Sequence, residues 1–598
     1  MIAYCPISDY AIIGNGYTTA LVNRAGSVDW CCLPRFDSEA VFCRLLDAER
    51  GGFFEITPTE SAEVTRRYLD HTNILQTTFT TDTGVLRLTD FMPAPEEDEG
   101  WQSPHCILRG VECLEGEVDV RARVRPTFRF ARGMTQLDQS TEGWTANQGG
   151  DSLEIKSAIP LHAYGETLIG TCLLNAGERR WLMGCYGGDT AAQSHLTLED
   201  ADLSLDQTRN YWEKWADVCD YDGPYRELVL RSALTLKLLI YKRTGGLVAA
   251  PTTSLPDDIG GKRNWDYRFN WLRDAGMLLD ALQQLNYHEE SERFFEWLEQ
   301  HRLKRHQNLH VVYRLDGEPA PDETPLPHLE GYRQSHPVQV GNGATNQEQI
   351  DVYGHVLDAV YLCFTRMPRE MSTEFWQFLT ALTNKAADGW RKPDHGPWEM
   401  RGAAQHYVYS KVFCWVALDR AIRLSQDHHH DGNVAHWKEE RERLRETIES
   451  EGFDDELGAF KQAFHDTSLD AAALTIPLVN FLPATDPRVR STMQKIEREL
   501  GENGLLYRYR RDDGLPGHDS TFTLCGFWMV MNLAKAGEGE RARERFEKLC
   551  RFANDVGLMS EQIDSESGEL RGNFPQGFSH VGLIRAAIAL RDAQQAGE

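Results

Sequence analysis

The chain has 598 residues, 41% hydrophobic, 26% charged and 10% aromatic, enough material for roughly two to four domains with large cores. Lys and Arg number 63 against 91 Asp and Glu, a net charge of −28, which argues against a nucleic-acid partner and against an anionic membrane surface. Met1 to Pro6 holds no basic stretch ahead of an apolar one, and no run of about 18 apolar residues follows, so neither a signal peptide nor a spanning helix is expected and the protein is read as cytoplasmic.

Residues 1–204 read as β. Val118, Val120, Ala122 and Val124 alternate with Asp119, Arg121, Arg123 and Arg125, the period of a strand with one buried face. Thr77–Thr80 and Val85–Leu88 flank Asp82-Thr83-Gly84, a hairpin signal. Many such runs predict an antiparallel β-sandwich. Thirteen cysteines are scattered without a CxxC pair, so reduced thiols are expected.

Residues 205–246 predict a helical linker. Tyr211, Trp212, Trp215 and Val218 share a face, and after Pro224 so do Leu230, Ala233, Leu234 and Leu238, up to Gly245-Gly246. From 247 to 598 the periodicity predicts helices over Ala275–Leu285, Ser291–His301, Asp351–Thr365, Glu374–Ala387, Tyr407–Leu424, His436–Glu451, Ala471–Phe481, Ser491–Leu500, Thr521–Ala536, Glu540–Phe552 and Phe578–Gln595. With the opening helix they make about a dozen, the content of six antiparallel hairpins closed into an (α/α)6 barrel. The connecting segments 251–270, 313–349, 388–405, 507–519 and 557–577 are long and rich in Trp, Tyr, Asp, Glu, Arg and Gly. Loops of that length on a rigid scaffold point to function. His428-His429-His430 reads as a surface loop rather than a metal site, and Gly14-Asn15-Gly16 and Gly341-Asn342-Gly343 read as turns. No P-loop, zinc signature or nucleophile elbow occurs.

Two glutamates stand out. Glu399 lies in Gly396-Pro397-Trp398-Glu399-Met400-Arg401-Gly402. A carboxyl against an aromatic wall has its neutral form favoured, as a general acid needs. An ion pair with Arg401 is the competing reading. Glu561 lies in Leu558-Met559-Ser560-Glu561-Gln562-Ile563-Asp564. A polar, hydrogen-bonding loop suits a base that stays ionised, and a helix-terminal carboxylate is the competing reading. Asn264 to Asp274 interleaves Trp265, Tyr267, Phe269 and Trp271 with Asp266, Arg268, Arg273 and Asp274. Aromatic faces pack on sugar rings while Arg and Asp bind hydroxyls. An aromatic core laced with ion pairs would look the same.

Together these stretches resemble glycoside hydrolase family 15, the glucoamylase, glucodextranase and bacterial-type trehalase group. The carriers are Arg263–Arg268 with Trp271–Asp274, Gly341-Asn342 with Gln349–Gly354, Gly396–Gly402 with Tyr409-Ser410-Lys411 and Trp415–Arg420, and Glu561 with Gly572–His580. Gly26–Trp30 and Pro34–Ser38 look like the opening of the trehalase-like members. The resemblance spans the chain in order. It implies an N-terminal β-sandwich, a helical linker and an (α/α)6 barrel, and an inverting exo-acting α-glucoside hydrolase with trehalose as first choice of substrate over maltose, isomaltose or longer glucans; an inverting disaccharide phosphorylase on a similar barrel and a sugar-binding protein without catalysis are the competing readings. It puts Glu399 on the general acid and Glu561 on the general base, standing roughly 6.5–9.5 Å apart to admit a water. Trp265, Asp266, Arg273, Asp274, Trp398, Arg401 and Arg508 fall on sugar-binding positions. No cofactor and no metal are implied, and oligomeric state, a homo-oligomer included, stays open. One departure concerns His518-Asp519-Ser520-Thr521-Phe522, where trehalase-like members often carry Glu-Gly before the Phe.

Overall fold

The computed structural model describes residues 4–94, 105–188, 196–302, 309–367, 370–511, 513–517 and 519–597. His518 lies outside them.

Fifteen strands between Tyr10 and Gly188 form one continuous antiparallel sheet folded into two layers. The 20-residue strand Cys106–Arg125 belongs to both. Its first half pairs with Arg179–Cys185 and Gly84–Phe91, its second half with Leu168–Asn175 and Phe53–Pro58. The crossing is at Gly116, whose φ of 68° and closeness to the Thr83 carbonyl exclude a side chain. Val118, Val120, Ala122 and Val124 are buried, as their alternation predicts. Arg109 ties the layers together. Its buried guanidinium pairs with Asp90 (Nε to Oδ1, 2.7 Å) and donates to the carbonyls of Gly26 and Phe54. Cys106 and Cys185 face each other in the ladder and form a disulfide, where reduced thiols were expected. Strand pairing makes neighbours of residues 79 apart in sequence, which their spacing does not reveal.

Helices follow: α1 (Ala201–Ala216), α2 (Arg226–Leu238), α3 (Leu272–Gln283), α4 (Glu289–Arg302), α5 (Val352–Arg366), α6 (Thr373–Gly389), α7 (Val408–Asp427), α8 (Val434–Thr447), α9 (Pro487–Glu499), α10 (Thr523–Lys535), α11 (Gly539–Cys550) and α12 (Gly577–Gly597). The predicted helix Ala471–Phe481 is instead a 3₁₀ turn, Ala471–Thr475, opened by Asp470 accepting from Ala472 N and followed by Pro477, which has no N–H to continue a helix. α3, α5, α7, this turn, α10 and α12 contact one another in sequence and α12 returns to α3, closing an inner ring. Inner helices α3 and α10 are buried along nearly their whole length. Outer ones are amphipathic: α9 buries Val489, Thr492, Met493 and Ile496 and exposes its charges. Among the described residues no helix is long and apolar enough to cross a membrane.

The sheet braces the barrel. Trp30 Nε1 donates to the Pro251 carbonyl (2.8 Å) and Asn73 Nδ2 to that of Leu234 (3.1 Å). Arg268, fully buried, forks onto Asp266 (2.9 and 2.7 Å) and donates to the Ser38 carbonyl at 2.6 Å, beneath the Phe130 ring. Arg268→Met strands the Asp266 carboxylate in a dry core. It is expected to cost about 3–5 kcal/mol, read as a lowered denaturation midpoint with circular dichroism.

Candidate functional site

The loops entering the inner ring supply the walls of one pocket of about 440 Å³, lined by Tyr267, Trp271, Arg273 and Asp274 ahead of and at the start of α3, Pro397, Trp398 and Glu399 ahead of α7, Arg508 and Phe522 ahead of α10, and Glu561, Gln576 and Phe578 around the start of α12, with Ala249.

Glu399 stands in a strained turn. Its φ is 58°, that of Gly396 is 68°, and Met400 N closes the turn onto the His395 carbonyl (3.1 Å). A side chain on residue 396 would strike the Tyr407 ring. Such backbone for a non-glycine residue persists only where surroundings enforce it. Oε1 of Glu399 accepts from Trp271 Nε1 (2.7 Å) and Arg273 Nη2 (3.3 Å). With two donors on Oε1, a proton on this carboxyl belongs on Oε2. The competing partner Arg401 turns elsewhere: it pairs with Glu323 and covers the Trp265 ring at 5.0 Å.

Glu561 is tethered by its backbone. Its carbonyl accepts from Thr523 N (3.0 Å), and the preceding Ser560 carbonyl accepts from Ser579 Oγ (2.7 Å). The carboxyl departs from the expected polar setting. It is 3% exposed, Oε1 accepts from Tyr267 OH (2.8 Å), and Oε2 has no hydrogen-bond partner. Burial first, then the charge of Asp257, pushes its pKa well above the carboxylate range, against Arg508 and the Tyr267 hydroxyl. Gly572, at φ 71°, makes room: a Cβ there would lie 2.7 Å from Glu561 Oε2.

Arg273 is held by Gln349 (3.0 Å) and Asp351 (3.2 Å) as well as Glu399. Beside it, burial pushes Asp274 up to about 7, with Arg273 opposing and Glu399 adding to the rise. Trp398 is aimed by Asp470, which accepts from Nε1 at 2.9 Å, and packs edge-on against Phe522 with Arg508 5.5 Å from its ring.

Of the residues singled out in the sequence, Arg273, Asp274, Trp398, Glu399, Arg508 and Glu561 meet in this pocket, whereas Trp265, Asp266 and Arg401 do not line it. Asp266 is corrected to a structural part. Both its oxygens hold Arg268, and Oδ2 also accepts from Gly341 N (3.1 Å), leaving nothing to offer a ligand. Sequence reasoning passed over Tyr267 and Trp271 as donors, although both stand in the aromatic segment. It had no signal for Asp257 or Asp470, and it met Asp519 and Phe522 only as part of the stretch that departs from the family pattern. Among the described residues no cluster of His, Cys, Asp and Glu is arranged to hold a metal ion. His430 stacks on Trp376, with ring centroids 5.2 Å apart.

A family model described as glycosyl hydrolases family 15 matches residues 223–588, and one described as trehalase-like, N-terminal matches residues 3–158. A trehalase of Thermoplasma volcanium is 36% identical over 599 residues, covering 99% of this chain and 94% of the relative. A trehalase of Mycolicibacterium smegmatis is 37% identical over 621 residues, covering 99% and 92%. Among solved structures, a bacterial glucoamylase complexed with acarbose superposes with a TM-score of 0.75 at 12% identity, covering 98% of this chain and 94% of the other. That likeness extends the match in fold to both the sheet and the barrel.

Two outcomes follow from the geometry. Gly572→Ala drives a methyl group against the Glu561 carboxylate, and a displacement of that kind is expected to cut kcat/KM by about 100-fold, while the strain of a side chain at positive φ lowers the denaturation midpoint as well. His580 accepts from Met559 N (3.3 Å) and contacts Ser232 Oγ (3.0 Å), and burial, then Arg231, pushes its pKa down to about 3. The folded protein keeps it neutral while the unfolded chain takes up a proton below about pH 6.5. Its contribution is therefore complete above that pH and is lost toward pH 3, at up to about 1.4 kcal/mol per unit. Melting temperatures taken from pH 7 to 4.5 should fall less steeply in His580→Gln than in the wild type.

Proposed function

This chain belongs to glycosyl hydrolases family 15, and on that premise we propose that it hydrolyses α,α-trehalose to two glucose molecules with inversion, using Glu399 as general acid and Glu561 as general base. It is a glycoside hydrolase by descent: relatives at 32–37% identity that match over nearly its whole length are trehalases. One observation carries the reading. Two carboxyls share one pocket, each with one oxygen engaged by an aromatic donor and the other without a hydrogen-bonding side chain. Glu399 gives the proton on Oε2 to the bridging oxygen as the bond to the anomeric carbon breaks. Glu561 takes a proton through Oε2 from a water that attacks the opposite face of the ring. One glucose then leaves as the β-anomer and the other keeps the α-configuration. Arg273, Asp274 and Arg508 bind the hydroxyls of the ring in the pocket, against the face of Trp398. Trp265 and Arg401, which pack on each other outside it with Arg401 two residues from Glu399 in the chain, are assigned to the leaving sugar. Cytoplasmic residence is part of the same proposal, with eleven cysteines that remain thiols in its favour and the Cys106–Cys185 disulfide against it.

The test is a proton NMR time course on trehalose, maltose, isomaltose and starch. Trehalose is expected to be the fastest substrate, giving equal α- and β-glucose before mutarotation. A product that is initially all α would overturn the inverting scheme. Glu399→Gln and Glu561→Gln should each lose about 10²- to 10⁴-fold in kcat, and undiminished activity in either would remove its assigned role.

A further inference from the structure

Arg508 is buried in the pocket wall and faces carboxylates from three loops. Nε and Nη2 donate to Asp519 (3.0 and 2.7 Å), and Nη2 stands 4.0 Å from Asp257 Oδ2. Among the described residues its ion pairs are with these two, and Glu561 is not one of them. Asp257 is 1% exposed, and its Oδ1 accepts no hydrogen bond. An aspartate in that position contributes nothing as a packing residue, and burying it costs free energy unless its charge has a use. Its loop also shapes the pocket: the Pro256 carbonyl accepts from Gly572 N (2.9 Å), the residue that gives Glu561 its space.

We propose that Asp257 is a positioning residue for the base: with Asp519 it holds the Arg508 guanidinium, which would otherwise close onto Glu561 as an ion pair and occupy the oxygen that the attacking water needs. The proposal rests on Glu561 being the base. The charged and titratable groups that face Asp257 are Arg508, Asp519, Arg263, Tyr267 and Glu561; those that face Glu561 are Asp257, Arg508, Tyr267 and Asp519. Burial pushes Asp257 up to about 7, with Arg508 and Arg263 opposing and Asp519 adding to the rise. Each carboxylate makes its neighbour harder to ionise, so the negative charge of Asp257 also makes ionised Glu561 the stronger proton acceptor.

Asp257→Asn removes the charge and keeps the shape. The acid limb of kcat/KM is expected to move to lower pH by about one unit or more, because Glu561 loses a repelling neighbour and gains Arg508. The plateau kcat should fall about tenfold or more, with KM changed by less than about threefold. Asp257→Glu, which restores the charge, should return the acid limb toward the wild-type position. If Asp257→Asn yields no folded protein, Asp519→Asn should move the limb in the same direction. An acid limb that stays in place while kcat falls would overturn the proposal and leave Asp257 a structural residue. Glu561→Gln separates the two failures: if it stays active the base assignment is wrong, and if it is inactive while the limb does not move, only the role of Asp257 is wrong.

Discussion

Tyr267 and Trp271 stand four residues apart in one segment, edge to face with ring centroids 5.6 Å apart, and each donates a hydrogen bond to a different glutamate. Glu561 and Glu399 reach the pocket on separate loops. Their relation is fixed through this aromatic pair, which is stiff because the segment is anchored at both ends. Asn264–Asp266 pairs with Thr253–Pro256, and Asn270–Trp271 pairs with Val312–Tyr313. Between them Arg268 points away from the pocket and fastens the segment to the Ser38 carbonyl of the sheet. The N-terminal layers thus bear on the geometry of a pocket to which they contribute no lining residue.

The site stores several unfavourable arrangements. Glu399 occupies left-handed backbone, Glu561 and Asp257 are buried with an unpartnered oxygen each, and Asp274 is buried beside Arg273 and Glu399. In isolation each costs free energy. They persist because the inner ring is densely packed and apolar around them, so the loops cannot relax without unpacking α3, α10 or α12. Dipoles and charges held in place before the substrate arrives need not reorganise during the reaction.

Much of this architecture was legible in the chain. Period-two alternation marked strand Cys106–Arg125, and the helical periodicity found nearly every barrel helix, because each element buries one face against a neighbour. Ala471–Phe481 was misread because its apolar run suits either a helix or a buried turn, and Pro477 decided for the turn. The glutamates could be picked out by their neighbours, but not their environments. Trp398, adjacent to Glu399 in sequence, turns its ring nitrogen to Asp470, while Trp271, 128 residues away, makes the hydrogen bond to the carboxyl.

By itself the sequence determined the order of strands and helices, the family and the residues capable of acid–base chemistry, because these depend on periodicity and on residue type within short stretches. Only the tertiary structure decided that Asp266 is a strut for Arg268, that Glu561 and not Glu399 is the deeply buried carboxyl, and that Asp257 and Asp519 share Arg508. Those outcomes depend on which charges the fold brings within a few ångströms after excluding water. Coulombic and desolvation energies follow distance and burial in space, neither of which is written in separation along the chain.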